Sequence, residues 1–361
     1  MKLVSNPTVI SLFTGAGALD LGFEQAGFDV RVCVEIDPIT CGTLRNNRPN
    51  WKVIQNDIVH MSTRQILEVA GLSRGEATVI TGGPPCQPFS TLGNRKALED
   101  PRGRLVREFL RVVKEARPEA FLFENVPGLK SVKNGRVISE ILSAMESIGY
   151  SPNLRILNSA NYGVPQVRKR LFILGRRDGI KLDFPAEDHS QDGTVGEKWV
   201  TVKEAFEELK NVDPQRKDNL RFRHSREMID RMRLVRPGKN FWSLPLDRRP
   251  NCWKNGKHLG RDTFGRIEAE RPAPTIRTCA YNPTKGRYIH PFEDRGLNTL
   301  EMAVLQTFPS DYLFEGGLIS VGKQIGDAVP PLLSYKIATR ILEQLRNAPV
   351  QPILSTTALT R

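Results

Sequence analysis

An apolar, β-prone run, Thr8-Val9-Ile10-Ser11-Leu12-Phe13, passes directly into Thr14-Gly15-Ala16-Gly17-Ala18. Leu19 to Ala26 then reads as a helix closed by Gly27. Strand, glycine turn and helix in that order open a doubly wound α/β fold, in which glycines let the backbone approach a ligand at the carboxyl end of the first strand. The spacing departs from GxGxxG, since Gly22 is the next glycine after Gly17, and a lone glycine motif carries little weight. A second apolar run, Val30 to Val34, ends in Glu35-Ile36-Asp37, and Asp57 follows a third, Trp51 to Gln55. Acids at strand ends serve either as helix caps or as partners for ribose hydroxyls. Together with the glycine turn, Glu35 and Asp57 fit one adenosine-bearing ligand.

The pattern continues along the chain. Ala77 to Ile80 reads as a fourth strand and Phe121-Leu122-Phe123 as a fifth, ending in Glu124-Asn125-Val126-Pro127. Asp100 to Ala116 has the periodicity of an amphipathic helix, with Leu105, Phe109, Val112 and Val113 on one face. Ile138 to Ile148 is a further helix, and Gln166-Val167-Arg168-Lys169-Arg170 leads into an apolar strand, Leu171 to Leu174. After Gly175 the apolar periodicity weakens while prolines and charges rise. Helical pattern returns at Leu300 to Phe308 and at Leu332 to Arg346. The expected division is therefore residues 1–175 and 310–346 as one domain, 176–299 as a second, smaller one, 300–309 as a hinge and 347–361 as a mobile tail.

The fourth strand runs into Thr81-Gly82-Gly83-Pro84-Pro85-Cys86-Gln87-Pro88-Phe89-Ser90. Two glycines free the backbone, and two prolines stiffen it by fixing φ near about −65°. A thiol on a stiff loop past a strand end is placed to attack a ligand. Taken alone, Cys86 reads first as a buried structural cysteine, because free cysteines are among the most buried residues.

Charge adds a second constraint. The chain carries 53 Lys and Arg against 40 Asp and Glu, a net charge of +13. Between Pro214 and Arg261 stand 14 basic and 4 acidic residues, so +10 of formal charge is concentrated there. Such a block is either a solvated face or, with Phe222, Phe241, Trp242 and Trp253 interleaved, a surface for a polyanion such as nucleic acid. No apolar run approaches the roughly 18 residues of a membrane span. Asn6-Pro7 and Asp20 argue against a signal peptide. The five cysteines (Cys33, Cys41, Cys86, Cys252 and Cys279) lack CxxC spacing. That suits reduced thiols in a cytoplasm and gives no metal site.

Cys86, Glu124 and the Arg168/Arg170 pair, in this order and behind this glycine turn, resemble the DNA (cytosine-5-)-methyltransferases of bacterial and phage modification type. The likeness covers nearly the whole chain. Phe13-x-Gly15-x-Gly17 is similar to the family's methyl-donor loop, and Pro85-Cys86-Gln87 to its nucleophile loop. Glu124-Asn125-Val126 is similar to its ENV segment and Gln166-x-Arg168-x-Arg170 to its QxRxR segment. Arg271 to Thr275 resembles the segment after the target-recognition region, and Gly326 to Pro331 the closing segment. Three positions depart: Pro88 stands where many relatives have Gly or Ala, Asp327 where the family usually has Asn, and Ile36 where some relatives have an aromatic residue.

The resemblance implies a Rossmann-like fold of the S-adenosylmethionine-dependent methyltransferase type, with a mixed sheet and a smaller DNA-recognition domain. It implies S-adenosylmethionine as cofactor. Phe13, Thr14, Gly15, Ala16, Gly17, Ala18 and Leu19 would take its methionine part, Glu35 and Ile36 its ribose and adenine side, Asp57 its adenine amine and Ile58 its ring. Pro85, Leu105, Asp327 and Val329 would complete that site. Cys86 would add to C6 of a flipped cytosine, making C5 nucleophilic. Glu124 would act on N3 and the exocyclic amine, Arg170 on O2, and Arg168 would orient Glu124 or a phosphate. Double-stranded DNA is the implied partner, together with a separately encoded restriction endonuclease, and the protein is expected to be a cytoplasmic monomer. Alternatives remain at this point. One branch of the family modifies transfer RNA, although the Cys-Phe-Thr signature associated with it is absent here. A non-catalytic DNA-binding relative would lack Cys86 or Glu124. A nicotinamide-dependent oxidoreductase would share the glycine turn but has no use for Pro-Pro-Cys.

Overall fold

The computed structural model describes residues 6–85, 103–254 and 262–347. Cys86, Pro88, the end of the basic stretch at 255–261 and the tail beyond Asn347 lie outside the described residues, as do the first three residues of the helix expected from Asp100.

Strands and helices alternate as the periodicity predicts. They are β1 (Thr8–Leu12), α1 (Ala18–Gln25), β2 (Asp29–Glu35), α2 (Pro38–Asn47), β3 (Val53–Gln55), α3 (Thr63–Ala70), β4 (Val79–Gly82), α4 (Arg104–Ala116), β5 (Ala120–Asn125) and α5 (Arg136–Ser147). β6 (Ser151–Asn158), a short β7 (Gln166–Val167) and β8 (Lys169–Arg176) follow. Seven strands form one sheet in the order β3-β2-β1-β4-β5-β8-β6. The first five run parallel, and β8 lies antiparallel to both β5 and β6. The sheet is thus mixed and doubly wound, and strand order reverses between β1 and β4.

The two-residue alternation of strand side chains divides the core into layers. Ile10, Leu12, Ile80, Phe121, Phe123, Leu171 and Ile173 face α3, α4 and α5 through Ile66, Phe109, Val113, Ile138 and Ile141. Val9, Val79, Leu122, Phe172 and Leu174 face the other way, onto Phe23 and, from the last helix, Ile337 and Ile341. Because the inner strands are covered on both sides, they read as continuous apolar runs.

Beyond β8 the elements are short: β9 (His189–Ser190), β10 (Glu197–Lys198), α6 (Val202–Glu207), α7 (Arg226–Arg233), α8 (Asn251–Lys254) and β11 (Ala273–Pro274). A separate small core gathers Met232, Val235, Phe241, Leu244, Trp253, Phe264 and Ile289. Phe241 and Trp253, two of the aromatics interleaved with the basic run, therefore belong to packing. Phe222 and Trp242 remain exposed. Arg266 ties this region together by donating to the carbonyls of Met232, Val235, His290 and Glu293 and pairing with Asp294.

The chain then returns through α9 (Thr299–Leu305), α10 (Leu318–Asp327) and α11 (Pro331–Arg346). α9 is buried along its whole length and stops short of the expected Phe308, because Thr307 takes a positive φ of 61°. α11 packs so closely on α1 that a Cβ at Gly22 would lie 2.4 Å from the Tyr335 nitrogen. Two elements escape the sequence pattern. β6 is an edge strand whose polar residues break the apolar alternation, and α10 carries two glycines that blur its helical period.

Candidate active site

The glycine turn after β1 is held from beneath. The Thr14 amide donates to the Val34 carbonyl at 3.2 Å and the Gly15 amide to Glu35 Oε2 at 2.8 Å. Phe13 takes a φ of 55° and Gly15 one of 57°, so strain in a non-glycine residue is stored where the strand opens into the turn. A Cβ at Gly15 would meet nothing within 4 Å, which leaves that backbone open to a ligand. Gly17 differs: its Cβ would lie 2.8 Å from Leu44 and 3.0 Å from Trp51, so it serves the packing of α1 on α2.

Glu35 is preorganised by its own neighbourhood. Besides Gly15, the amides of Ile36 and Asp37 donate to its Oε1, each at 2.9 Å. Asp37 caps α2 through Thr40, and Asp57 accepts from the Val59 amide at 3.0 Å. The capping role of these acids is real. In both acids these bonds engage a single carboxylate oxygen, Oδ1.

Above this turn lies a cavity of about 420 Å³. It opens at the carboxyl ends of β1, β2 and β5, at the reversal of strand order, where doubly wound sheets bind ligands. Its wall includes Phe13, Thr14, Gly15, Ala16, Ala18, Leu19, Glu35, Ile36, Asp57, Ile58, Pro85, Leu105, Asp327 and Val329, together with Glu124. Gly17 is the one expected donor contact outside it. The wall also holds Asp37, Thr40, Gly83, Lys323 and Gln324, which sequence reasoning missed. The one signal for Lys323 was its spacing of four residues from Asp327 on a helix that the glycines concealed. Five carboxylates and one ammonium line this space, and Gly15 leaves an open cradle. The donor set fits a cationic, adenosine-bearing ligand such as S-adenosylmethionine.

At the far end of the cavity Glu124 and Arg170 form an ion pair, Oε1 to Nε at 3.1 Å, with both side chains largely buried. Burial pushes the Glu124 carboxyl above the usual range. Arg170 and Arg168 oppose that shift and the charge of Asp327 adds to it. Gly83 is required for this placement, since a Cβ there would lie 2.8 Å from Glu124 Oε2. Asn125 holds the start of the neighbouring loop, its Nδ2 donating to the Pro84 carbonyl at 3.0 Å. Cys86 follows one residue after the described part of that loop.

Gln166, Arg168 and Arg170 divide the work. Gln166 Nε2 donates to the Leu305 carbonyl and to Gln306 Oε1, and its Oε1 accepts from the Ile276 amide. Arg168 is fully buried. It donates through Nη1 to the Ile276 carbonyl at 3.0 Å and through Nη2 to the Gly326 carbonyl at 2.9 Å. A guanidinium so enclosed is out of reach of a phosphate. Arg170 is the guanidinium in contact with Glu124, and Arg168 bears on it only through its charge.

The basic stretch is partly spent on the fold. Arg216 pairs with the buried Asp218, Arg231 donates to the Arg248 carbonyl, Arg233 pairs with Asp230, and Arg249 lies over the Trp242 ring. Arg221, Arg223, Arg226 and Arg236 are exposed. Among the described residues no helix is long and apolar enough to cross a membrane.

Residues 7–343 match the family model of the C-5 cytosine-specific DNA methylases. The chain is 35% identical over 346 residues to the type II methyltransferase M1.HphI of Haemophilus parahaemolyticus, an alignment covering 94% of this chain and 88% of that protein. It is 36% identical over 349 residues to M.PspPI of a Psychrobacter strain, covering 95% and 80%. A crystal structure of a prophage-encoded Escherichia coli protein described as a DNA modification methyltransferase superposes with a TM-score of 0.72 at 24% identity, covering 94% of this chain and 99% of that one. At that identity the likeness speaks for the fold.

Proposed function

The chain belongs to the family of C-5 cytosine-specific DNA methylases, and we propose that it methylates a flipped-out cytosine in one duplex sequence through a covalent Cys86 adduct. The observation that carries this reading is the continuity of one cavity from the glycine turn and Glu35 to the buried Glu124–Arg170 pair.

The cavity would hold S-adenosylmethionine, with Glu35 toward the ribose and Asp57 and Ile58 toward the adenine. When bound, that molecule supplies an electrophilic methyl group on a sulfonium. The remaining chemistry falls to the chain. The Cys86 thiolate adds to C6 of the base, and electron density moves toward N3. Glu124, whose carboxyl burial raises above its ordinary range, delivers or shares a proton at N3. Arg170 holds Glu124 and neutralises charge growing on the ring's O2. C5 then gains the methyl group and loses its proton to a base; the C5–H electron pair re-forms the C5–C6 double bond, and Cys86 leaves as a thiolate carrying the C6–S bond electrons. Flipping the base out of the stack costs a few kcal/mol, which phosphate contacts from the basic region offset. Arg221, Arg223, Arg226 and Arg236 are the exposed candidates for those contacts. The second region, 176–299, is the reader of sequence, and the corresponding partner in a modification system is a separately encoded restriction endonuclease.

The test uses duplexes carrying 5-fluorocytosine, whose C5 fluorine cannot leave as a proton does. The wild type should form an adduct that survives denaturation, and Cys86→Ser should not. Bisulfite sequencing of DNA from a methylation-free host expressing the chain identifies the site. Labelling of transfer RNA with none of duplex DNA would replace this reading by the RNA alternative.

A further inference from the structure

We propose that Asp327 makes the donor cavity selective for charge, favouring the cationic sulfonium donor over the neutral thioether product. This rests on the reading that the cavity holds S-adenosylmethionine.

The five acids of the cavity wall are not equivalent. Glu35 is engaged by three backbone amides. Asp37 and Asp57 cap the elements that follow them. Glu124 is paired with Arg170. Asp327 forms no salt bridge among the described residues. It is exposed and lines the cavity. The nearest compensating charge on its own helix is Lys323, one turn back and also on the cavity wall.

Its position is costly for the fold. Asp327 is the last residue of α10, where the helix macrodipole is negative and a carboxylate is disfavoured. The backbone there is nonetheless held firmly. Arg168 fixes the Gly326 carbonyl at 2.9 Å, and Gln306 fixes the Ile325 carbonyl at 2.7 Å. Partial desolvation disfavours the Asp327 carboxylate, and Lys323, Arg168 and Arg170 only oppose that effect; a positive charge in the cavity it lines would favour the carboxylate further.

Its location along the cavity selects which positive charge. Glu35, Asp37 and Asp57 stand at the ends of β2 and β3. Asp327 is the one on α10, where its charge bears on Glu124, Arg168 and Arg170 together, while Lys323 bears on both Asp37 and Asp327. A methyl group that is to reach a base held by Glu124 must stand close to Glu124, and the sulfur that carries it stands beside it. Donor and product share the α-ammonium and the carboxylate; they differ by the methyl group and the unit charge of the sulfonium. Asp327 and the carbonyl end of α10 therefore stabilise the ligand before transfer and lose that interaction after it, so the charge change itself promotes product release.

Isothermal titration of the full chain with S-adenosylmethionine, S-adenosylhomocysteine and sinefungin, which carries an ammonium in place of the sulfonium, tests this. Asp327→Asn should weaken S-adenosylmethionine and sinefungin by about 3–10-fold, the order expected for one partly screened charge pair, and leave the thioether within about twofold. Lys323→Met should move the donor-to-product ratio the other way. Equal weakening of all three ligands by Asp327→Asn would place Asp327 on their shared amino-acid part and overturn the inference, as would no change in any. A wild type that binds none of the three refutes the donor cavity itself.

Discussion

Arg168 donates through Nη2 to the Gly326 carbonyl at 2.9 Å, joining positions 158 residues apart in sequence. The same guanidinium holds the Ile276 carbonyl, so one buried side chain anchors both the segment leaving the second region and the end of α10. The donor cavity thus owes one wall to a residue that never faces it.

Replacing Arg168 by Met keeps much of the volume but leaves two buried carbonyls without a donor, at about 1–3 kcal/mol each. Arg168→Met should lower the urea-unfolding free energy by about 2–5 kcal/mol and weaken donor binding. Wild-type stability with unchanged donor affinity would show that the clasp is dispensable.

Glu124 and Arg170 set the pH dependence of the chemical step. Burial raises the Glu124 carboxyl, and Arg170 is the larger of the two charges that restrain the rise. A step that needs the protonated acid slows as pH climbs through that raised value. Arg170→Ala removes a restraining charge and should move the falling limb of single-turnover rates to higher pH, besides slowing the step. Glu124→Gln should cost at least about 10²-fold, within the range for a lost general acid, with donor affinity nearly unchanged. A limb that stays in place in Arg170→Ala would assign it to another group.

Gly83 leaves room for the Glu124 carboxylate, and a Cβ would intrude to 2.8 Å. The intruded atom ends a side chain that can swing aside, so Gly83→Ala should change stability by less than about 1 kcal/mol. Displacing the carboxylate should cut methyl transfer by about 10–10²-fold. Full activity in the folded variant would mean that the position of Glu124 is not critical.

Asp20 is fully buried beneath the glycine turn. Its Oδ1 accepts from Thr81 Oγ1 at 3.4 Å, its Oδ2 has no partner, and burial pushes its carboxyl up to about 7 from 3.8. Below pH 3.8 the group is neutral whether the chain is folded or not, and costs nothing. Between those values the unfolded chain ionises first, so stability falls as pH rises. Above about 7 the full penalty, up to about 4 kcal/mol, is present. Asp20→Asn should therefore be more stable than wild type at pH 8, with the gain shrinking toward pH 4. A gain independent of pH would show that ionisation of Asp20 is not its source.

Much of the frame was legible because it rests on local rules. Apolar runs of three to six residues mark β1, β2, β4, β5 and β8, and their layering follows from side-chain alternation. The glycine turn, Glu35 and Asp57 reveal the cavity floor because each stands at a strand end that any doubly wound sheet brings to one edge. β6 and α10 were not legible, since polar residues in one and glycines in the other erase the period. Lys323 and Asp37 went unnoticed for a related reason: a charged residue in a helix or cap looks the same whether or not a cavity lies beside it.

The amino-acid sequence by itself determined which residues could carry the chemistry: a thiol on a stiff loop, an acid after β5, arginines spaced by two, and an adenosine-suited turn. Tertiary structure alone decided how they share the work. It turned Arg168 to two backbone carbonyls and Arg170 to the buried Glu124, withdrew Phe241 and Trp253 into a core, and brought Lys323 and Asp327 to a wall formed mainly by residues near the other end of the chain. The reason is that spacing within a strand or helix fixes only which face a side chain shares with its neighbours. What stands opposite that face is set by packing between segments far apart in sequence.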